Sequence, residues 1–361
     1  MAYTVDITNE FFRLLRNALW QKGEVINHLN VDEFNELFAL AKQQTVSALI
    51  ADSLIRNNVR INDDCAMLSI AAIIKNQRKT KKINESLIAV TSILNEALIH
   101  YVVFKGQISA FHYLNSELRS IGDVDFYVIP QDFYRAEQLL KDKLYVNVNE
   151  DRIDKHFDFN YNGIRYEMHY KIETFGYYQH QRYFNQLIDR DLLEHPCLLR
   201  IAQVEVKTLS PIAEIITIFK HLFNHLLVEG VGLRQLCDLA VLLHTYYNKY
   251  DKKLLKKHLF AIGYYRAFLV TGAFIVKDIG LPQEEFPFAL HERNYSWANK
   301  LKEDILKSGN FGKNTRVVGK TKSLQTASIA MTHCLKYFFL APSDITCLIP
   351  KRIGISLSKH F

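Results

Sequence analysis

The sequence predicts an α+β chain in which a small mixed sheet sits between two helical regions. Three observations carry this reading. Apolar residues recur at three- and four-residue spacing through the first hundred or so positions, as in Phe11, Leu14, Leu15 and Leu19. Short β-branched and aromatic runs then alternate with helical patterns, in the order strand, helix, strand, helix, antiparallel strands. From Ser210 onward the helical period returns. The expected division is an N-terminal helical region over 1–98, a core over 99–208 and a C-terminal helical domain over 209–361.

Phe34, Leu37, Phe38, Leu40 and Ala41 mark a second N-terminal helix. The pairs Asn57-Asn58 and Asn62-Asp63 are turn signals, after which Cys65 to Ala97 reads as one long helix. Within it, Gln77 to Lys82 is basic and expected to be exposed. Tyr101-Val102-Val103-Phe104 has the composition of a buried strand, ended by Lys105-Gly106. Gln107 to Leu114 is expected as a short helix, Asp123 to Ile129 as a strand closed by Pro130, and Gln131 to Lys143 as a helix. Asn162-Gly163 is a strong hairpin signal between strands at His156–Tyr161 and Arg165–Ile172. A single strand is expected over Arg200–Val206. Ser210-Pro211 opens a helix with proline in its first turn, and Gly230 and Gly232 end it. Helices are expected at 233–247, 252–260, 263–279, 290–308 and 324–340, with a basic, glycine-containing loop at 308–323.

With 361 residues, 48% of them hydrophobic, the chain can bury a substantial core. It contains no apolar run of eighteen or more residues, and the N-terminus lacks a basic segment followed by an apolar one. The five cysteines are odd in number and form no CxxC pair, which argues against a disulfide framework or zinc knuckle and points to a reducing cytoplasm. The net charge of +7 suits a polyanionic partner, although a solvated basic surface has the same composition.

The most informative stretch is Arg119-Ser-Ile-Gly-Asp123-Val-Asp125-Phe-Tyr-Val. Side chains alternate along a strand, so Asp123 and Asp125 share one face while Val124, Phe126 and Val128 share the other. Two carboxylates so placed can share Mg²⁺, which keeps waters and takes one or two carboxylates plus substrate phosphates. Two exposed acids on an edge strand would have the same spacing. Glu167 and His169 share a face of a later strand, and Glu167 would join the acids if the two strands were neighbours. It would then serve as general base or as a further ligand. Lys105-Gly106, at a strand-to-helix junction, could hold phosphates. Arg119 could reach the same phosphates or pair with an acid.

Phe104-Lys105-Gly106, Tyr113 and Leu118-Arg119-Ser-Ile-Gly-Asp123-Val-Asp125, taken in order, resemble the bacterial uncharacterised nucleotidyltransferase family, a branch of the polymerase-beta-like superfamily. Glu167-Met168-His169 fits the branch's acid-x-His pair, and His221, His225 and Leu233-Arg234-Gln-Leu-Cys-Asp238 fit its later helical element. The resemblance implies Asp123 and Asp125 as ligands of Mg²⁺ (or Mn²⁺), Glu167 as third acid, and Lys105 and Gly106 at the nucleotide phosphates. Lys-Gly stands where most of the superfamily has Gly-Ser. His169, His225, Arg234 and Asp238 are expected to line the cleft from the second domain or to form an interhelical polar network. His221 and His225 lack the glutamate of a zinc helix, and no zinc is expected. The implied activity is transfer of a nucleoside monophosphate from a nucleoside triphosphate such as ATP to a hydroxyl or phosphate of a small molecule, sugar, protein or RNA. The alternative is an inactive nucleotide-binding or regulatory scaffold on the same fold.

Overall fold

The N-terminal helices have clear local causes. α1 (Ile7–Trp20) is capped by Asp6, whose carboxylate accepts from the Asn9 amide at 3.0 Å. α2 (Val31–Gln43) opens with a reciprocal capping box between Asn30 and Glu33. α3 (Ser47–Arg56) follows, and Asn62 caps α4 (Asp63–Glu96), a helix of 34 residues. The computed structural model describes residues 5–147, 149–151, 156–194, 197–201, 204–228, 230–310 and 330–348.

Five strands form a mixed sheet: β1 (Tyr101–Phe104), β2 (Val124–Val128), β3 (Asn149–Asp151), β4 (His156–Tyr161) and β5 (Ile164–His169). Their spatial order is β1-β2-β5-β4-β3. Only β2 and β5 are parallel; the other neighbours are antiparallel. α5 (Gly106–Ala110) follows β1, and α6 (Phe133–Leu144) follows β2. Asn162-Gly163 makes the β4–β5 turn, with both residues at positive φ (51° and 68°), as that dipeptide favours.

The sheet packs apolar side chains on both faces, wholly on one and in part on the other. On one side Tyr101, Val103, Val124, Phe126, Tyr166 and Met168 pack against Ile83, Leu87, Val90 and Leu94 of α4 and against Phe133, Ala136 and Leu140 of α6. On the other, Val102, Phe104 and Tyr127 join a larger core shared by α1 to α3 with α8 (Pro211–Val228), α9 (Leu233–Thr245), α10 (Lys252–Ala261) and α11 (Tyr265–Phe274). α12 (Glu292–Ser308) closes this core with Ala298, Leu301 and Ile305. Among the described residues, no helix is long and apolar enough to cross a membrane.

The structure corrects the expected elements in four places. The strand expected at 200–206 is a hairpin of β6 (Cys197–Ile201) and β7 (Val204–Thr208), since period-two patterning does not show where a strand reverses. α7 (Tyr178–Glu194) has no counterpart in the sequence reading, because Phe184, Ile188 and Leu192 are a thin apolar stripe in a polar helix. α5 ends at Ala110, and a 3₁₀ turn at Ser116–Leu118 leads to β2. The helix expected over 263–279 becomes a π-turn at Ile275–Ile279, ended by Gly280 at φ 84°. Residues 311–323 of the expected basic loop and the tail after 348 lie outside the described residues.

Phe126 is fully buried at the centre of the sheet, edge-on to Phe159 and Tyr166. Phe126→Ala should therefore cost about 3–5 kcal/mol by urea unfolding. A loss below about 1 kcal/mol would show that this face of the sheet is not a packed core.

Candidate active site

Strand register brings the acids together. In the parallel pair Asp125 lies beside Glu167 and Tyr127 beside His169, while in the antiparallel pair Phe104 lies opposite Asp125. Side chains at these positions share one face, so Asp125, Glu167 and His169 converge, and the residue after Phe104 arrives beside them. His169 Nε2 is 2.9 Å from Asp125 Oδ1 and 3.5 Å from Glu167 Oε2. One donor atom from each of these three residues lies within 4.8 Å of the others. Two carboxylates with a histidine to orient one of them suit a hard divalent cation with a supporting outer shell. Asp123 precedes β2 on the wall of the same cavity. Burial, and then the negative charges of Asp125 and Glu167, push its pKa up. A cation would relieve that repulsion.

Lys105 is the counter-charge built into the chain. Its Nζ stands 3.5 Å from Asp125 Oδ1 and 3.5 Å from Glu173 Oε1, against the ring of Phe104 at 4.8 Å. Burial disfavours an ammonium here, but Asp125 and Glu173 outweigh it and raise the Lys105 pKa. Conversely, burial disfavours the Asp125 carboxylate, while Lys105 and the His169 hydrogen bond hold its pKa well below the ordinary range. Burial works against His169 too, yet its bonds to Asp125 and Glu167 raise it, favouring the protonated ring. The Lys105 backbone is strained, at φ 58° and ψ −140°, in a region that side chains rarely adopt. Gly106 beside it packs closely on the loop before β2. A Cβ there would stand 3.0 Å from the Asp123 carbonyl oxygen, closer than ordinary contacts allow.

A second polar group lies across the cavity. Arg119 holds Asp238 of α9 in a two-pronged pair, Nη2 to Oδ2 at 2.7 Å and Nε to Oδ1 at 3.1 Å, and Tyr113 donates to the same carboxylate at 2.7 Å. The Arg119 fork is thus committed to an acid. Arg234 donates to the Ser120 carbonyl at 3.0 Å, while its buried Nε makes no hydrogen bond. Burial, and then the nearby Arg119 charge, bring the Arg234 pKa down to about 10. This guanidinium on the cavity wall therefore retains donor capacity for an anion.

Glu173 and His221 escaped the sequence reading as a pair. Glu173 lies beyond the end of β5 and belongs to no motif. Its carboxylate accepts from Asn224 at 2.8 Å and meets His221 Nδ1 at 3.1 Å. Burial would raise its pKa, but Lys105 and His221 bring it from the ordinary 4.5 to about 2. His221 Nε2 lies 3.1 Å from His225 Nε2, and burial followed by the His221 charge hold His225 neutral. The expected cleft residues therefore separate: Arg234 and Asp238 lie with Arg119 on one wall, His225 lies with His221 behind Glu173, and His169 joins Asp125 and Glu167 on the sheet. The cavity between them is narrow, about 40 Å³.

The sheet thus brings paired acids, a Lys-Gly junction and an arginine wall to one cavity. The chain belongs to the uncharacterised nucleotidyltransferase family, whose model matches residues 30–275 and so spans every group named above. No curated protein and no solved structure matches the chain.

Two outcomes follow. Arg119→Met should destabilise the fold by about 3–5 kcal/mol by leaving Asp238 buried and unpaired, and adding Asp238→Asn should restore part of that loss. Because folding depresses the Glu173 pKa, its contribution is full above about pH 4.5 and is lost as pH falls toward 2. Urea midpoints between pH 2 and 6 should fall with acidification, and Glu173→Gln should flatten that slope. An unchanged slope would remove Glu173 from the charge network.

Proposed function

We propose that the chain is a metal-dependent nucleotidyltransferase that moves a nucleoside monophosphate from a nucleoside triphosphate to a hydroxyl or phosphate acceptor. The observation that supports this best is the β2–β5 register, which sets Asp125 beside Glu167 within reach of Lys105. Asp123 and Asp125 would hold Mg²⁺ or Mn²⁺, which supplies charge neutralisation on the phosphates and alignment for in-line attack, with Glu167 as the third acid beside them. Lys105, the amide of Gly106 and the spare donor of Arg234 would bind phosphate oxygens. His169 would fix the Asp125 carboxylate through its Nε2 hydrogen bond.

In the proposed reaction an acceptor oxygen attacks the α-phosphorus. The bond from that phosphorus to the bridging oxygen breaks, pyrophosphate leaves, and Glu167 takes the acceptor proton. A nucleotide needs a pocket of roughly 300 Å³ or more. The cavity is only about 40 Å³, so the nucleoside would lie across its rim with the phosphates directed inward.

One observation favours the second reading, an inactive nucleotide-binding scaffold. Lys105 already stands between Asp125 and Glu173, so the chain neutralises part of its own acid cluster. Calorimetry with ATP, CTP, GTP and UTP, with and without Mg²⁺, separates the two. The transferase requires metal-dependent binding of at least one nucleotide, weakened tenfold or more by Asp123→Asn or Asp125→Asn, which is about 1.4 kcal/mol. Binding indifferent to metal and to both substitutions would establish the scaffold instead.

A further inference from the structure

The most cationic surface beside the site belongs to α4, not to the sheet. Lys75, Arg78, Lys79 and Lys82 are all exposed. They fall at i, i+3, i+4 and i+7, one face of a helix over two turns, or about 10 Å. None of the four has an ion-pair partner among the described residues, although unpaired like charges on one helix face repel each other.

Three contacts fix α4 against the segment before β2, the start of α5 and the β4–β5 turn. Asn76 hydrogen-bonds the Glu117 carbonyl just ahead of Arg119. Asn84 meets Gln107 at the start of α5. The Lys82 ammonium lies against Gly163 in the β4–β5 turn, where a Cβ would stand 3.2 Å from Nζ. The face thus runs past the 115–123 segment and the end of the sheet. Lys79 lies close enough for the charges of Asp123 and Arg234 to act on it.

We propose that this face of α4 is a track for a single-stranded nucleic acid, and that the acceptor is the hydroxyl at that strand's end. The second clause rests on the transferase reading; the first does not. Cations spaced about 5–6 Å apart along a helix suit a polymer with a charge on every unit. The centre of the site is acidic, so a polyanion must be held from outside it. A nucleic acid end meets that condition, because its uncharged terminal hydroxyl would enter the site while the phosphates behind it rest on the lysines. An acidic peptide would bring carboxylates toward Asp123 and Asp125 without such separation.

Fluorescence anisotropy with a labelled single-stranded RNA 20-mer tests the track, with a poly-glutamate peptide of matched charge as competitor. The full chain is compared with Lys75→Gln/Lys79→Gln/Lys82→Gln. A charge-matched control, Lys249→Gln/Lys253→Gln/Lys257→Gln, alters exposed lysines elsewhere. The α4 triple variant should bind RNA at least tenfold more weakly at low salt. Its plot of log affinity against log salt should be shallower by about 2, the value for three phosphate contacts on a single strand. The control should bind like the parent, and circular dichroism should show all three proteins equally folded. Equal weakening in both variants, no RNA binding by the parent, or equal competition by poly-glutamate would overturn the track. The two readings fail separately. RNA binding through α4 with no nucleotide transfer in any assay sinks the transferase and leaves the track. Transfer to a small acceptor by a chain that does not bind RNA sinks the track alone.

Discussion

The site depends on one parallel strand pairing within an otherwise antiparallel sheet. β2 and β5 are far apart in sequence, and their register alone sets Asp125 against Glu167 and Tyr127 against His169. A slip of one residue would turn Glu167 and His169 into the apolar layer and expose Tyr166 and Met168. That layer resists slippage because Phe126, Phe159 and Tyr166 lock across three strands, with Phe159 and Tyr166 stacked at 5.0 Å. The chemistry on one face of the sheet is therefore aligned by packing on the other.

Bringing acids together under a hydrophobic roof creates an electrostatic problem, and the chain meets it in layers. Lys105 links Asp125 to Glu173, and His169 ties Asp125 to Glu167. Behind Glu173, His221, Asn224 and Lys220 anchor the 173–174 segment to α8: Asn224 and His221 bond the carboxylate, and Lys220 donates to the Thr174 carbonyl at 3.0 Å. On the opposite wall the Arg119–Asp238 pair joins the loop before β2 to α9. Both walls are polar seams between the sheet and the C-terminal helices, so perturbing one changes both packing and charge at the acidic face. Asp123 is the acid these seams leave least compensated, and its raised pKa records that.

Much of this was legible in the sequence, for identifiable reasons. Alternation along Asp123–Val128 and Arg165–His169 shows which residues share a face, because a strand repeats every two residues whatever its neighbours. The alternation cannot show that those two strands would pair, nor in parallel; that follows from the path through α6 and β4. Arg119 was legible as a charged residue near the acids but not as the partner of Asp238, since the two are 119 positions apart. Glu173 was invisible because it follows a strand end and belongs to no motif. α7 was missed because its apolar stripe is one residue wide, whereas α8, apolar around most of its circumference, was plain.

The left-handed backbone at Lys105 has a consequence for anyone who would engineer this chain. Of the twenty residues, glycine alone would sit there without conformational penalty, so replacing the lysine with glycine would relieve the strain. The same replacement would delete the ammonium bridging two buried acids. Breaking that buried bridge costs more than the strain it relieves, so the lysine holds its unfavourable backbone through the charge it carries.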